Sequence, residues 1–150
     1  MSNYLFKLAR ADRDTLSCHL KEVSDTFTPP LDTYVAIDEY VEKLFTKAQH
    51  CLAFDHLGNL VGLIAFYLDT EISRAFVSNV SISPKLQGKG LGKEMFEYFQ
   101  EQILLNECCF SKIELEVRAE NKSAISFYEN LDFYIYNENR LVVSMRKDFN

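Results

Sequence analysis

The chain has 150 residues, 47% of them hydrophobic and 25% charged, with a formal net charge of −6. Those values describe one soluble globular domain, long enough to bury a core of its own. They exclude broad binding along a DNA or RNA backbone, which needs a basic face, but leave room for a small anion held at one local site.

In chain order, "YLFKLAR" (4–10) reads as a first strand. "ADRDTLSCHLKEVSD" follows, with Leu16, Leu20 and Val23 at helical spacing and Asp12 placed to cap the helix. Pro29 and Pro30 in "TFTPPLDT" (26–33) stop that helix, because proline has no N–H to donate to it. A second helix is expected over 38–49, with Tyr40, Val41, Leu44, Phe45 and Ala48 on its apolar side. "CLAFDHLGNLVGLIAFYLD" reads as a hairpin turning at Gly58 and Asn59, and its second arm, Leu60 to Leu68, is apolar enough to be covered on both faces. "RAFVSNVSIS" (74–83) is the next strand, ended by Pro84. A long helix then carries Leu91, Met95, Phe96, Phe99, Ile103 and Leu104 on one face. "KIELEVR" (112–118) alternates with period two, "NKSAISFYENL" (121–131) is a short helix that Asn121 can cap, and "FYIYNENRLVVSMR" (133–146) is a closing hairpin. The order β-α-α-β-β-β-α-β-α-β-β gives one α/β domain built on a mixed sheet.

No stretch approaches the roughly 18 apolar residues of a membrane span, and the N-terminus has no apolar leader, so a cytoplasmic protein without a membrane partner is expected. Cys18, Cys51, Cys108 and Cys109 form no C-x-x-C pair, and with His19, His50 and His56 they show no metal-ligand spacing. Idle thiols, solvated or capping histidines and no metal are the expectation.

Three of the five glycines, Gly88, Gly90 and Gly92, fall within five positions between a strand and a helix. Unpaired first-turn N–H groups and the helix dipole make such a junction an anion site, and Lys85, Lys89 and Lys93 add local positive charge. Two common phosphate loops fail the count: neither G-x-x-x-x-G-K-[ST] nor G-x-G-x-x-G can be laid on these glycines. What fits is Gln87-Gly88-Lys89-Gly90-Leu91-Gly92, a [QR]-x-x-G-x-[GA] pattern. On this motif, and independently on "LEVRAENKSAISFYENLDF" (115–133), the chain resembles the GNAT superfamily of N-acetyltransferases. The second motif is most similar to the branch that acetylates the N-terminal alanine of a ribosomal protein. The resemblance covers 60–133 well, whereas the N-terminal 59 residues match in element pattern only.

The resemblance implies a GNAT-like α+β fold, with a mostly antiparallel sheet of about seven strands and four helices packed on both faces. It also implies acetyl-CoA as cosubstrate, with the pyrophosphate on Gln87, Gly88, Lys89, Gly90, Leu91, Gly92 and Lys93. Backbone groups of Val80, Ser81 and Ile82 would meet the pantetheine arm, the N–H of Ile82 would serve the oxyanion, and Asn121 would touch the arm or cap its helix. Tyr128 would be the general acid to the departing thiolate, since a phenol of ordinary pKa ~10 stays protonated at neutral pH. Many family members carry a carboxylate where this chain has Ser78 and Asn79. Glu116 lies twelve residues before Tyr128, the spacing at which the alanine-acetyltransferase branch places its catalytic glutamate, so the resemblance implies Glu116 as general base, with Glu71 in reserve and a solvated or Arg118-paired glutamate as the alternative. Asp132 stands where the family usually has glycine, in a turn needing left-handed backbone.

The resemblance implies that segment 26–36 forms one wall of the acceptor cleft, with Phe27, Pro29, Pro30 and Tyr34 as its stiff aromatic face and a structural proline turn as the alternative. The leading expectation is a primary amine on a small metabolite; a peptide or protein N-terminus is the rival enzyme reading, and a non-catalytic acyl-CoA-binding module the reading from another class. The oligomeric state stays open, a homodimer included.

Overall fold

The computed structural model describes residues 3–27, 29–106 and 110–149. The elements are β1 (Leu5–Leu8), α1 (Arg13–Val23), α2 (Ile37–Lys47), β2 (Gln49–Phe54), β3 (Leu60–Asp69), β4 (Arg74–Ile82), α3 (Leu91–Asn106), β5 (Lys112–Arg118), α4 (Lys122–Glu129), β6 (Tyr134–Glu138) and β7 (Val142–Asp148). Their order is the expected one. Short 3-10 turns add Ser24–Thr26, Leu31–Thr33 and Pro84–Leu86.

Local chemistry sets the boundaries. Asp12 caps α1 by accepting the Thr15 N–H at 2.8 Å. α2 stops at Lys47, short of the expected residue 49, because Gln49 already pairs with Phe66 as the first residue of β2. His50 anchors this junction, accepting the Ala11 N–H on Nδ1 at 3.1 Å and donating from Nε2 to the Leu44 carbonyl at 2.9 Å. His19 is buried as well, so two histidines expected to be solvated or capping are buried side chains joining elements. Burial pushes the Cys51 thiol up to about 12, which leaves it inert, while Cys18 is exposed. Cys108 and Cys109 lie outside the described residues.

Among the described residues, seven strands form one sheet in the order β1-β2-β3-β4-β5-β7-β6, antiparallel throughout except between β4 and β5. The four α-helices cover it on both faces. α3 and α4 close one face over Phe66, Phe96 and Phe99, whose rings meet edge-on at 4.8 and 5.5 Å, and burying each is worth about 2–3 kcal/mol. α1 and α2 close the other over Leu16, Leu20, Leu44 and Leu63.

Two features of β4 set the geometry of its far end. Asn79 pairs with Ala65 and Val77 with Phe66, so Ser78 is an extra residue that bulges and bends the strand. The parallel pairing of β4 with β5 runs only from Arg74 opposite Lys112 to Val77 opposite Leu115. Beyond that point the two strands part.

Candidate active site

The parted strands open a cleft of about 570 Å³, lined on one side by residues 77–82 of β4 and on the other by Leu115 to Arg118 of β5. Backbone alternation decides which β4 groups face it. Ser83 donates its N–H to the Val61 carbonyl at 2.8 Å, so Ser81 likewise turns its main chain toward β3, while Val80 and Ile82 turn theirs into the gap. The expected trio of β4 backbone groups is thereby reduced to two, because Ser81 offers no free main-chain edge. Its hydroxyl is instead held 2.9 Å from Nε2 of buried His19 on α1. The carbonyl of Ile82 accepts from Nε2 of Gln87 at 3.0 Å, which ties the glycine loop to the strand end and leaves the Ile82 N–H facing the cleft.

At the mouth, Gly88 and Gly90 take φ of +74° and +86°, a region costly for any residue with a Cβ. Glu94 donates to the Gly90 carbonyl at 3.1 Å, so α3 begins here with its first-turn N–H groups at the cleft. Gly92 has a different task from the loop-bending expected of it. A Cβ there would stand 2.9 Å from Cδ1 of Ile82 and 3.3 Å from Phe127, so glycine lets α3 lie close against β4 and α4. Gln87, Gly88, Gly90, Leu91, Gly92 and Lys93 line the cleft. Lys89 does not: set between two left-handed glycines, it points outward and is exposed.

Tyr128 and Glu116 both line the cleft, from opposite faces of the sheet. Tyr128 belongs to the core under α3 and α4, ringed by Phe96, Phe127 and Phe133 at 5.1–5.8 Å, and burial raises its pKa, keeping the phenol protonated. Glu116 alternates away from Leu115 and Val117 to the other face, where it is exposed. No cation among the described residues pairs with it, Arg118 included. Its neighbour on that face, Glu114, is buried and shared by Arg74 at 3.0 Å and Arg146 at 2.5 Å. Burial raises the Glu114 pKa, but the two guanidinium groups outweigh it and the net direction is down. Glu71 falls away as a reserve base. It sits in the β3–β4 turn, and β4 runs roughly 26 Å from that turn to Ile82.

Asn121 caps α4, its Oδ1 accepting from the Ala124 N–H at 3.2 Å and the Ser123 hydroxyl at 3.1 Å, and it also lines the cleft. Asp132 adopts the left-handed turn expected of it, at φ +71°. On the α1–α2 side the wall is made by Thr26, Phe27 and Tyr34. Pro29 and Pro30 do not line it; Pro30 leads the 3-10 turn before α2, the structural role that prolines readily fill. Thr28 lies outside the described residues. Two contacts escaped sequence reasoning, His19 with Ser81 and the Arg118 guanidinium 5.2 Å over the Tyr34 ring, since each joins residues far apart in the chain.

Residues 16–133 match the family model of the Acetyltransferase (GNAT) family. The chain belongs to that family. A curated relative, the ribosomal protein bS18 alanine N-acetyltransferase of Escherichia coli K12, is 32% identical over 74 residues, which are 48% of this chain and 49% of the relative. In that match the chain thus spans about half the relative's length. Among solved structures, a Pyrococcus horikoshii OT3 protein superposes at TM-score 0.79 with 19% identity, covering 98% of this chain and 99% of the other. The Escherichia coli ribosomal-protein-S18-alanine N-acetyltransferase does so at 0.75 and 17%, covering 97% and 93%. The PaiA N-acetyltransferase of Thermoplasma acidophilum, solved with coenzyme A, does so at 0.73 and 16%, covering 99% and 100%. At such identities these likenesses show that this GNAT chain shares their fold.

Proposed function

We propose that this GNAT protein transfers the acetyl group of acetyl-CoA to a primary amine of a small metabolite by direct attack. One observation carries the reading: a cleft between parted strands has a glycine-rich helix start at its mouth and a carboxylate and a phenol lining it from opposite faces of the sheet. The diphosphate rests on main-chain N–H groups of the loop and first turn of α3, with Lys93 beside it. The pantetheine arm takes the place β5 would occupy along Val80 and Ile82.

Glu116 removes a proton from the ammonium of the acceptor, directly or through one water. The freed lone pair attacks the thioester carbon, and the Ile82 N–H faces the oxyanion. As the intermediate collapses, the C–S bond breaks and its electron pair leaves on sulfur. Tyr128 donates to that sulfur. Burial keeps the phenol protonated until then; as it gives its proton to the departing sulfur, the second proton that the nitrogen sheds on becoming an amide passes back to the phenolate through water, so CoA leaves as the thiol and Tyr128 is restored.

A peptide or protein N-terminus is the second reading, supported by the bS18 alanine acetyltransferase relative. The contact of the Arg118 guanidinium with the Tyr34 ring, which joins β5 to the segment before α2 across the cleft, is what favours a small acceptor. Thiol release from acetyl-CoA over a panel of amines tests the proposal. Release above the enzyme-free rate with at least one amine is expected. Tight binding of CoA with no release for any amine would point to a non-catalytic acyl-CoA-binding module.

A further inference from the structure

We infer that the acceptor carries an anionic oxygen group, a carboxylate or a phosphate, close to its amine, and that Arg118 binds that group. The inference rests on the acetyl-transfer reading and names the class of acceptor within it.

Arg118 lines the cleft from β5, two residues past Glu116 and on the same face of the strand, which places the two Cα atoms about 7 Å apart. Both residues line the cleft across from residues 77–82 of β4. Both therefore stand alongside the stretch of β4 that the thioester follows. The guanidinium lies over the Tyr34 ring at 5.2 Å, and no carboxylate among the described residues pairs with it. The nearest acid on its face, Glu114, is already held by Arg74 and Arg146. This cation–π contact holds the guanidinium at the cleft without using its N–H groups in an ion pair, and a guanidinium fork can receive two oxygens at once.

The charge balance of the cleft agrees. Its charged lining residues are Lys93, Glu116 and Arg118, one carboxylate against two cations, and Lys93 belongs to the glycine-loop end. A polyamine would find one acid and meet Arg118 as repulsion. An amine with its own anionic group satisfies both Glu116 and Arg118, the ammonium at the first and the oxygens at the second.

The test is calorimetric binding of paired acceptors to the full chain saturated with CoA, so that it does not depend on turnover. The pairs are alanine against ethylamine and phosphoethanolamine against ethanolamine. Tighter binding of at least one anionic member by about tenfold or more is expected, and whichever pair shows it identifies the group. That preference is expected to vanish in Arg118→Gln, with affinity for CoA itself unchanged, and to be partly kept in Arg118→Lys. Equal binding within both pairs, a preference that survives Arg118→Gln, or a parallel loss of CoA affinity in that variant would overturn the assignment. Failure of the acetyl-transfer reading shows separately, as absent thiol release in the same samples with acetyl-CoA.

Discussion

Val77 and Leu115 are the last partners that β4 and β5 share, and from them onward both strands line the cleft to Ile82 and Arg118. The geometry of that cleft thus depends on the bulge at Ser78 and on the left-handed glycines at its mouth. Gly90→Val is expected to weaken CoA binding about tenfold, because a β-branched residue at φ +86° moves the N–H groups that open α3. No neighbour lies within 4 Å of a Cβ built there, so the effect comes from backbone strain rather than a clash. Isothermal titration with CoA checks it. An unchanged dissociation constant would remove the loop from the site.

Tyr128→Phe keeps the ring that packs on Phe96, Phe127 and Phe133 and deletes only the hydroxyl. Turnover is expected to fall by about 10²–10³ while the CoA dissociation constant stays within twofold, roughly the range for loss of one positioned acid. Rates and calorimetry on the same preparation separate the roles. Equal losses in both would make Tyr128 a core residue. In the wild-type enzyme the phenol's raised pKa means that its own ionisation contributes no alkaline fall in kcat below about pH 10.

The parts of this fold legible in the sequence are those written in local pattern. Period two in "KIELEVR" gives β5 and the face of Glu116, the glycine spacing gives the start of α3, and Asp12 and Asn121 cap the helices they precede. The parts that are not legible depend on register between distant segments. The extra residue at Ser78 is invisible until Asn79 is set against Ala65 and Val77 against Phe66. The same holds for Ser81, an unremarkable strand residue until α1 brings His19 to it across 62 positions. Adjacency alone groups Lys89 with the loop, but φ at the flanking glycines, not sequence distance, decides where its side chain points.

If Glu116 takes the ammonium proton, Glu116→Gln keeps the shape and hydrogen-bonding reach of the side chain and loses the base. kcat is expected to fall about 100-fold, with the acidic limb of its pH profile flattened to whatever the acceptor amine's own titration leaves. Because Glu116 is exposed and pairs with no cation among the described residues, the variant is expected to melt within a degree or two of wild type. Profiles of kcat and a melting curve are the measurements. An acidic limb intact in the variant would pass the role to a water chain along Ser78 and Asn79.

His19 makes stability depend on pH in a direction opposite to that of a salt-bridged histidine. It is buried, and desolvation lowers its pKa to about 4 from an ordinary 6.5, only partly countered by the charge of Glu22. The folded protein thus resists a proton that the unfolded chain accepts. Above pH 6.5 neither state is protonated at this site and nothing is lost. As pH falls from 6.5 toward 4 the unfolded state gains the proton first, and stability drops by about 3 kcal/mol across that window. His19→Gln can still hydrogen-bond Ser81 but does not titrate. Urea unfolding at pH 7 and pH 4.5 is expected to show a smaller loss of stability for the variant than for wild type. Equal losses would mean that His19 is protonated in the folded protein, and that the acid sensitivity arises in carboxylates such as Glu114, whose pKa is lowered by its two arginines.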